Sequence, residues 1–270
     1  MIESDDSDEE SAVATVASGG TLVLSSKVVS LGLGFLTQLA MARLLTETQY
    51  GEIVLTIAII NVFALAAKLG IDDGVIRQFP NYEDKPAKVQ GVIRASLFIT
   101  IGSSAAVAVI AFSVAPILSE RIYNNQSLTL LIRISSVGIP FIVVSSVIVS
   151  LARGARDARP HAYVNQISKP FMRFLFISVL VVFGFGAVGG IIGHTIASIL
   201  ASLLALYIGT RVLPSFDSAS VPDRMYRTVL GFSLPLVAFQ GVGFINSNVD
   251  IYMIGYFLNS SSVGIYNISL

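Results

Sequence analysis

Seven apolar runs, each close to 20 residues, dominate this chain, near 20–45, 51–70, 91–117, 128–151, 162–184, 187–209 and 229–258. About 20 apolar residues is the length that carries an α-helix across roughly 30 Å of hydrocarbon. Inside a bilayer no water satisfies backbone polar groups, so only helices and closed barrels span it. Barrel strands alternate apolar and polar residues over about ten positions, and these runs do not alternate. The sequence therefore predicts an all-α, polytopic membrane protein with about seven transmembrane helices. Composition agrees: 54% of residues are apolar and only 13% are charged. The turns between runs are rich in Gly, Pro, Asn and Asp, as in "NYEDKPAKVQ" and "ARGARDARP".

Lys and Arg distribution sets the expected orientation. With the N-terminus inside, thirteen basic residues fall on cytoplasmic loops and helix ends, among them Lys85, Lys88, Arg153, Arg156 and Arg159. Only Arg43, Arg121 and Arg133 fall outside. The N-terminus is expected in the cytoplasm and the chain in the cell (cytoplasmic) membrane. The acidic start "MIESDDSDEE" lacks the positive, then apolar, pattern of a signal peptide. It reads as a disordered tail over residues 1–18. The chain has no cysteine, and its net charge is zero, which points to no nucleic-acid partner. "GFGAVGG" follows an apolar run and lacks a Lys-Ser/Thr ending, so it is not a nucleotide loop. No cofactor or metal is implied.

One turn is written twice. "ARLLTETQYGEIVL" (42–55) and "YFLNSSSVGIYN" (256–267) align at an offset of 213 residues. Leu45 falls on Leu258, Thr46 on Asn259 and Gly51 on Gly264. Upstream, Lys27, Ser30, Gly34 and Thr37 fall on Gln240, Gly243, Ser247 and Asp250. Spacings of 3, 7 and 10 put each set on one helix face. Asn246 joins the second set, and Gln38 neighbours the first. Six helices separate the copies, so both enter the membrane in the same sense, as in parallel-repeat transporters. The expected organisation is a six-helix lobe over 19–210 and a cytoplasmic linker over 211–227. The first helix and following turn of a second, incomplete lobe would occupy 228–270. The chain is expected to be a fragment, or a shortened form, of a larger protein.

"ARLLTETQYGEIVL", "KLGIDDGVIRQF", "GFSLPL" and "VDIYMIGYFLNSSSVGIYN" together resemble the polysaccharide-exporter, O-antigen flippase-like branch of the multidrug/oligosaccharidyl-lipid/polysaccharide exporter superfamily. The resemblance covers roughly residues 18–270. It implies a non-enzymatic flippase that moves a lipid-linked oligosaccharide or polysaccharide precursor between leaflets by alternating access. The implied partners are the lipid-linked glycan, membrane lipid and glycan-assembly enzymes. Alternatives are a cation-coupled multidrug exporter of the same superfamily and a membrane glycan-assembly partner or enzyme. An enzyme would need outer-face acids, and the predicted outer loops offer only scattered Glu47, Glu52 and Glu120.

Ionisable and polar groups within apolar runs are functional by default. The candidate substrate-binding residues are Lys27, Ser30, Thr37, Gln38, Arg77, Arg173, Gln240, Asn246 and Ser247. Lys27 reads as a phosphate contact or a lysine snorkelling to the interface. Arg77 matches an arginine of the resembled family and reads as a phosphate contact or a positive-inside anchor. Tyr163, Gln166, Pro170 and Arg173 share a face at α-helical spacing, with a kink expected at Pro170. Asp250 reads as a coupling or gating acid, or as an interhelical hydrogen-bonding group, and is expected to face the cavity with Gln240, Asn246 and Ser247. His194, Ser198 and Ser202 mark a polar stripe with a packing role.

Overall fold

In the computed structural model the described residues are 3–82, 85–213 and 225–269. Their order is α1 (Glu3–Leu44), α2 (Glu47–Lys68), α3 (Ile71–Gln78), α4 (Pro86–Pro116), α5 (Ser127–Ser136), α6 (Ile139–Gly154), α7 (Lys169–Val182), α8 (Gly186–Val212), α9 (Tyr226–Phe257) and α10 (Ser260–Ser269). Among the described residues there is no strand. Among the described residues five helices are long and apolar enough to cross a membrane, and the α5–α6 pair, bent by 42°, makes a sixth if it is taken as one span. The expected fourth span is thus broken where Pro140 follows Gly138. The expected fifth span is helical from His161 to Val182, but its first eight residues wind as π-helix.

The acidic segment is helical backbone from Glu3 onward, continuous with α1. A short helix, α3, follows α2 and ends in a 3₁₀ turn at Phe79–Tyr82. Most of the expected linker, 214–224, lies outside the described residues.

α2 is the axis of the packing. Ile53, Leu55, Ile59 and Ile60 are buried against Leu128, Leu131 and Ile132 of α5, Ile139 and Val143 of α6, Ile177 of α7 and Ile191 of α8. A second apolar cluster, at the α3 end, joins Ile71, Val75 and Phe79 to α4, to Val147 and Leu151 of α6, and to Val229 of α9.

The repeated turn is a repeated helix start. The Thr46 hydroxyl accepts from the Gln49 N–H at 3.3 Å, and Gln49 Oε1 accepts from the Thr46 N–H at 3.4 Å. At the offset positions Asn259 Oδ1 accepts from the Ser262 N–H at 2.9 Å. Both satisfy otherwise orphaned amides at a helix N-terminus. The two helices so started, α2 and α10, then pack on each other reciprocally. A side chain on Gly51 would strike the Ser260 carbonyl, and one on Gly264 would strike the Glu47 carbonyl. These two pairs exchange under the 213-residue offset, as a twofold relation between repeats requires. Asn125 reinforces the contact, its amide donating to Glu52 Oε1 (2.9 Å) and Ser260 Oγ (3.1 Å).

At the opposite end α9 docks on α3. Gln240 Nε2 donates to Asp72 Oδ1 at 2.8 Å and to Asp73 Oδ2 at 2.9 Å. Lys68 Nζ lies 3.0 Å from Asp72 Oδ2. Burial pushes the Asp72 carboxyl up, but the Lys68 ammonium and the Gln240 hydrogen bond outweigh it and hold it below the usual carboxylate range.

Two outcomes follow from this packing. Gly51→Ala overpacks the α2–α10 contact and costs about 1–3 kcal/mol, whereas Gly32→Ala, inside α1 with open space around it, does not lower the thermal midpoint in detergent. The depressed Asp72 carboxyl stabilises the fold above the ordinary carboxylate pKa of about 4 and loses that contribution as pH falls toward its lower folded value. The midpoint of the native chain therefore drops on acidification through that window, and Asp72→Asn flattens the drop.

Candidate functional site

A cavity of about 680 Å³ opens between α1, α2, α7, α9 and α10. Its wall mixes apolar side chains with amides and two cations. α1 contributes Ser30, Gly34, Thr37 and Gln38, and α2 contributes Tyr50, Ile57 and Asn61. Asn165, Lys169, Pro170 and Arg173 line it from the His161–Val182 helix, Asn248 and Ile251 from α9, and Asn267 from α10.

The α1 stripe expected from sequence reaches the cavity at Ser30, Gly34 and Thr37, with Gln38 beside them. Thr37 is buried, and its hydroxyl donates to the Leu33 carbonyl of its own helix at 2.7 Å. Gln38 Nε2 donates to the Asn267 carbonyl at 2.7 Å, and the Tyr50 hydroxyl donates to Asn267 Oδ1 at 2.6 Å. Asn267 thus ties α1, α2 and α10 together at the cavity wall. Lys27 is exposed and does not line the cavity. It lies on α1 nearly one turn before Ser30, beyond the cavity's end.

The α9 stripe is rotated away. Gln240 is occupied by Asp72 and Asp73, and Asn246 and Ser247 are exposed, with the Ser247 hydroxyl bonded to the Gly243 carbonyl at 2.9 Å. Asp250 does not line the cavity; its Oδ2 accepts from the Tyr266 hydroxyl of α10 at 2.6 Å. The cavity face of α9 is that of Asn248 and Ile251. At about 100° per residue, Asp250 stands well over a right angle from Asn248. Docking of Gln240 on α3 and of Asp250 on α10 sets this rotation, and neither contact is visible in the spacing of α9 alone. Arg77 is exposed at the end of α3, outside the cavity.

On the fifth span, Arg173 and Pro170 line the cavity, but Tyr163 is exposed and Gln166 turns to His161, with Nε2 at 3.3 Å from His161 Nε2. Asn165 and Lys169 take their places. The π winding of residues 161–168 changes the register, so α-helical spacing selected the wrong partners there. Asn61, Asn165, Lys169, Asn248 and Asn267 escaped the sequence reading because each belongs to a face that only packing identifies.

Lys169 and Arg173 are the electrostatic centre of the site. Neither pairs with a carboxylate among the described residues, and no carboxylate lines the cavity. Arg173 Nε is buried without a hydrogen-bond partner. Two uncompensated cations within the bilayer are costly, and an anion received between them offsets that cost. Guanidinium suits phosphate and carboxylate oxygens through paired N–H donors. His194 is buried in α8 with Nδ1 unpartnered, and its carbonyl accepts from the Ser198 hydroxyl at 2.9 Å.

Comparison with known proteins bears on what such a cavity serves. The chain is 24% identical over 244 residues to the succinoglycan biosynthesis transport protein ExoT of Rhizobium meliloti (strain 1021). That match covers 90% of this chain and 46% of the relative, so the chain spans about half the length of the curated relative it matches. No solved structure matches it. A family model described as polysaccharide biosynthesis protein matches residues 40–270, which hold α2 to α10 and most of the cavity wall. The chain is a multi-pass, all-α membrane protein that belongs to this polysaccharide biosynthesis family.

Proposed function

We propose that the chain serves as a flippase-type transporter, moving a lipid-linked glycan precursor across the cytoplasmic membrane with its N-terminus in the cytoplasm. The observation that carries this reading is the pair Lys169 and Arg173, facing a polar cavity that holds no carboxylate. A phosphate-linked sugar head combines negative charge with many hydroxyls. The cations would hold the phosphate, and the amides of Asn61, Asn165, Asn248 and Gln38 would meet the sugar. The lipid tail stays in the bilayer, while the cavity spares the sugar from hydrocarbon. The succinoglycan transport relative supports a polysaccharide cargo. A cation-coupled drug exporter would need an acid in this cavity, and Asp250 instead bonds Tyr266 outside it.

If the pair holds an anion, Lys169→Ala and Arg173→Ala each lower surface-glycan export at least about tenfold at matched protein level, the loss of one charge-assisted contact. Arg173→Lys keeps part of the activity, and Lys27→Ala keeps nearly all of it. Wild-type export by both alanine variants sinks the reading. Orientation has its own check at Arg159, whose side chain is 78% exposed. A cysteine placed there resists a membrane-impermeant thiol reagent in intact cells and reacts in inverted vesicles. The reverse pattern overturns the topology.

A further inference from the structure

The fifth span departs from α-helix just where it meets the cavity. Residues His161–Ser168 wind as π-helix, and the Lys169 N–H reaches the Val164 carbonyl five residues back. Pro170 follows at the start of α7. Proline has no N–H to give, and in an α-helix its ring collides with the carbonyl four residues earlier, here that of Gln166. A wider turn relieves that collision and tolerates the missing donor.

The winding decides which amide faces the cavity. In continuous α-helix, at about 100° per residue, Asn165 would stand about 80° from Arg173 and Gln166 only about 20° away. A π turn of about 4.4 residues advances about 80° per residue, which brings Asn165 within about 25° of Arg173 and swings Gln166 out by about 55–75°. The structure matches: Asn165, Lys169 and Arg173 line the cavity and Gln166 does not. Both amides touch the His161 ring. Asn165 Nδ2 lies 3.4 Å from His161 Nδ1, and Gln166 Nε2 lies 3.3 Å from His161 Nε2. In the His161 tautomer whose Nδ1 accepts from Asn165, the second Asn165 amide hydrogen is left for the cavity.

We infer that Pro170 is a positioning residue, holding the π winding that sets Asn165 in line with Lys169 and Arg173 as a third contact for the anionic head. This rests on the reading of Lys169 and Arg173 as the head-binding pair. Asn165 adds a neutral donor to two point charges, which favours an oxyanion that carries several acceptors over a simple halide.

The chain has no native cysteine, so single cysteines report the winding without background. In the membrane-embedded chain, a cysteine at 165 reacts with a small charged methanethiosulfonate at least tenfold faster than one at 166. In the Pro170→Ala background the order reverses, because the restored N–H lets the segment relax to α-helix. Deleting Ile167 in that background places position 165 seven residues before Arg173, about 20° away in α-helix, and restores fast labelling of the cysteine at 165. The same order with and without Pro170 overturns the inference. Export gives a test in the unaltered backbone: Asn165→Ala lowers it at least tenfold and Gln166→Ala leaves it near wild type. Equal effects also overturn the inference. Should Lys169→Ala and Arg173→Ala prove silent while the labelling order reverses, the anion reading fails and the positioning stands.

Discussion

The reciprocal contact of α2 and α10 is what the rest of the site hangs on. Two helices with side chains at the crossing stay about 8–10 Å apart. Glycine at both Gly51 and Gly264 removes that spacer, so each backbone touches the other's carbonyls. Close approach of this kind supplies dispersion contacts in hydrocarbon, where no hydrophobic drive pulls helices together. It brings Asn267 within reach of Tyr50 and Gln38, and the cavity wall closes there. The capped starts at Thr46 and Asn259 fix where each helix begins, and so fix which residues meet.

The second contact of the later repeat lies at the other end, through Gln240 and the paired acids of α3. One amide nitrogen answers two carboxylates, and Lys68 offsets part of their charge. Both docking points join close packing at glycines to hydrogen bonds: Gly51 and Gly264 beside the Tyr50–Asn267 bond at α2–α10, and Gly70 and Gly74 against Ser233 beside the Gln240 bonds at α3–α9. Between them stands a cavity whose cations have no acidic neighbour in its wall. Groups so placed carry a desolvation cost, which the proposed anionic head would offset.

The backbone of the fifth span shows how local chemistry reaches the site. Pro170 was legible as a helix-breaking residue within an apolar run, and a kink was the expected outcome. The observed response is a change of winding. That change rotates Asn165 in and Gln166 out, while both residues keep their places in sequence. Arg173, C-terminal to the altered turn, stayed on the face that α-helical spacing assigns it.

By itself the sequence determined the class of the protein, because about 20 apolar residues in a row have one stable form in hydrocarbon. It also determined the repeated turn, since capping residues and a crossing glycine are chosen by local geometry at each copy. The α1 face of Ser30, Thr37 and Gln38 was legible for the same reason: a regular helix keeps its period. The tertiary structure alone decided which way α9 turns, because the partners that hold it, Asp72 and Tyr266, lie on other helices. That rotation removed Gln240, Asn246, Ser247 and Asp250 from the cavity and admitted Asn248. It also decided that Lys169 and Asn165 share a wall with Arg173. A spacing rule assumes one winding along the whole helix, and the collision at Pro170 was resolved by another.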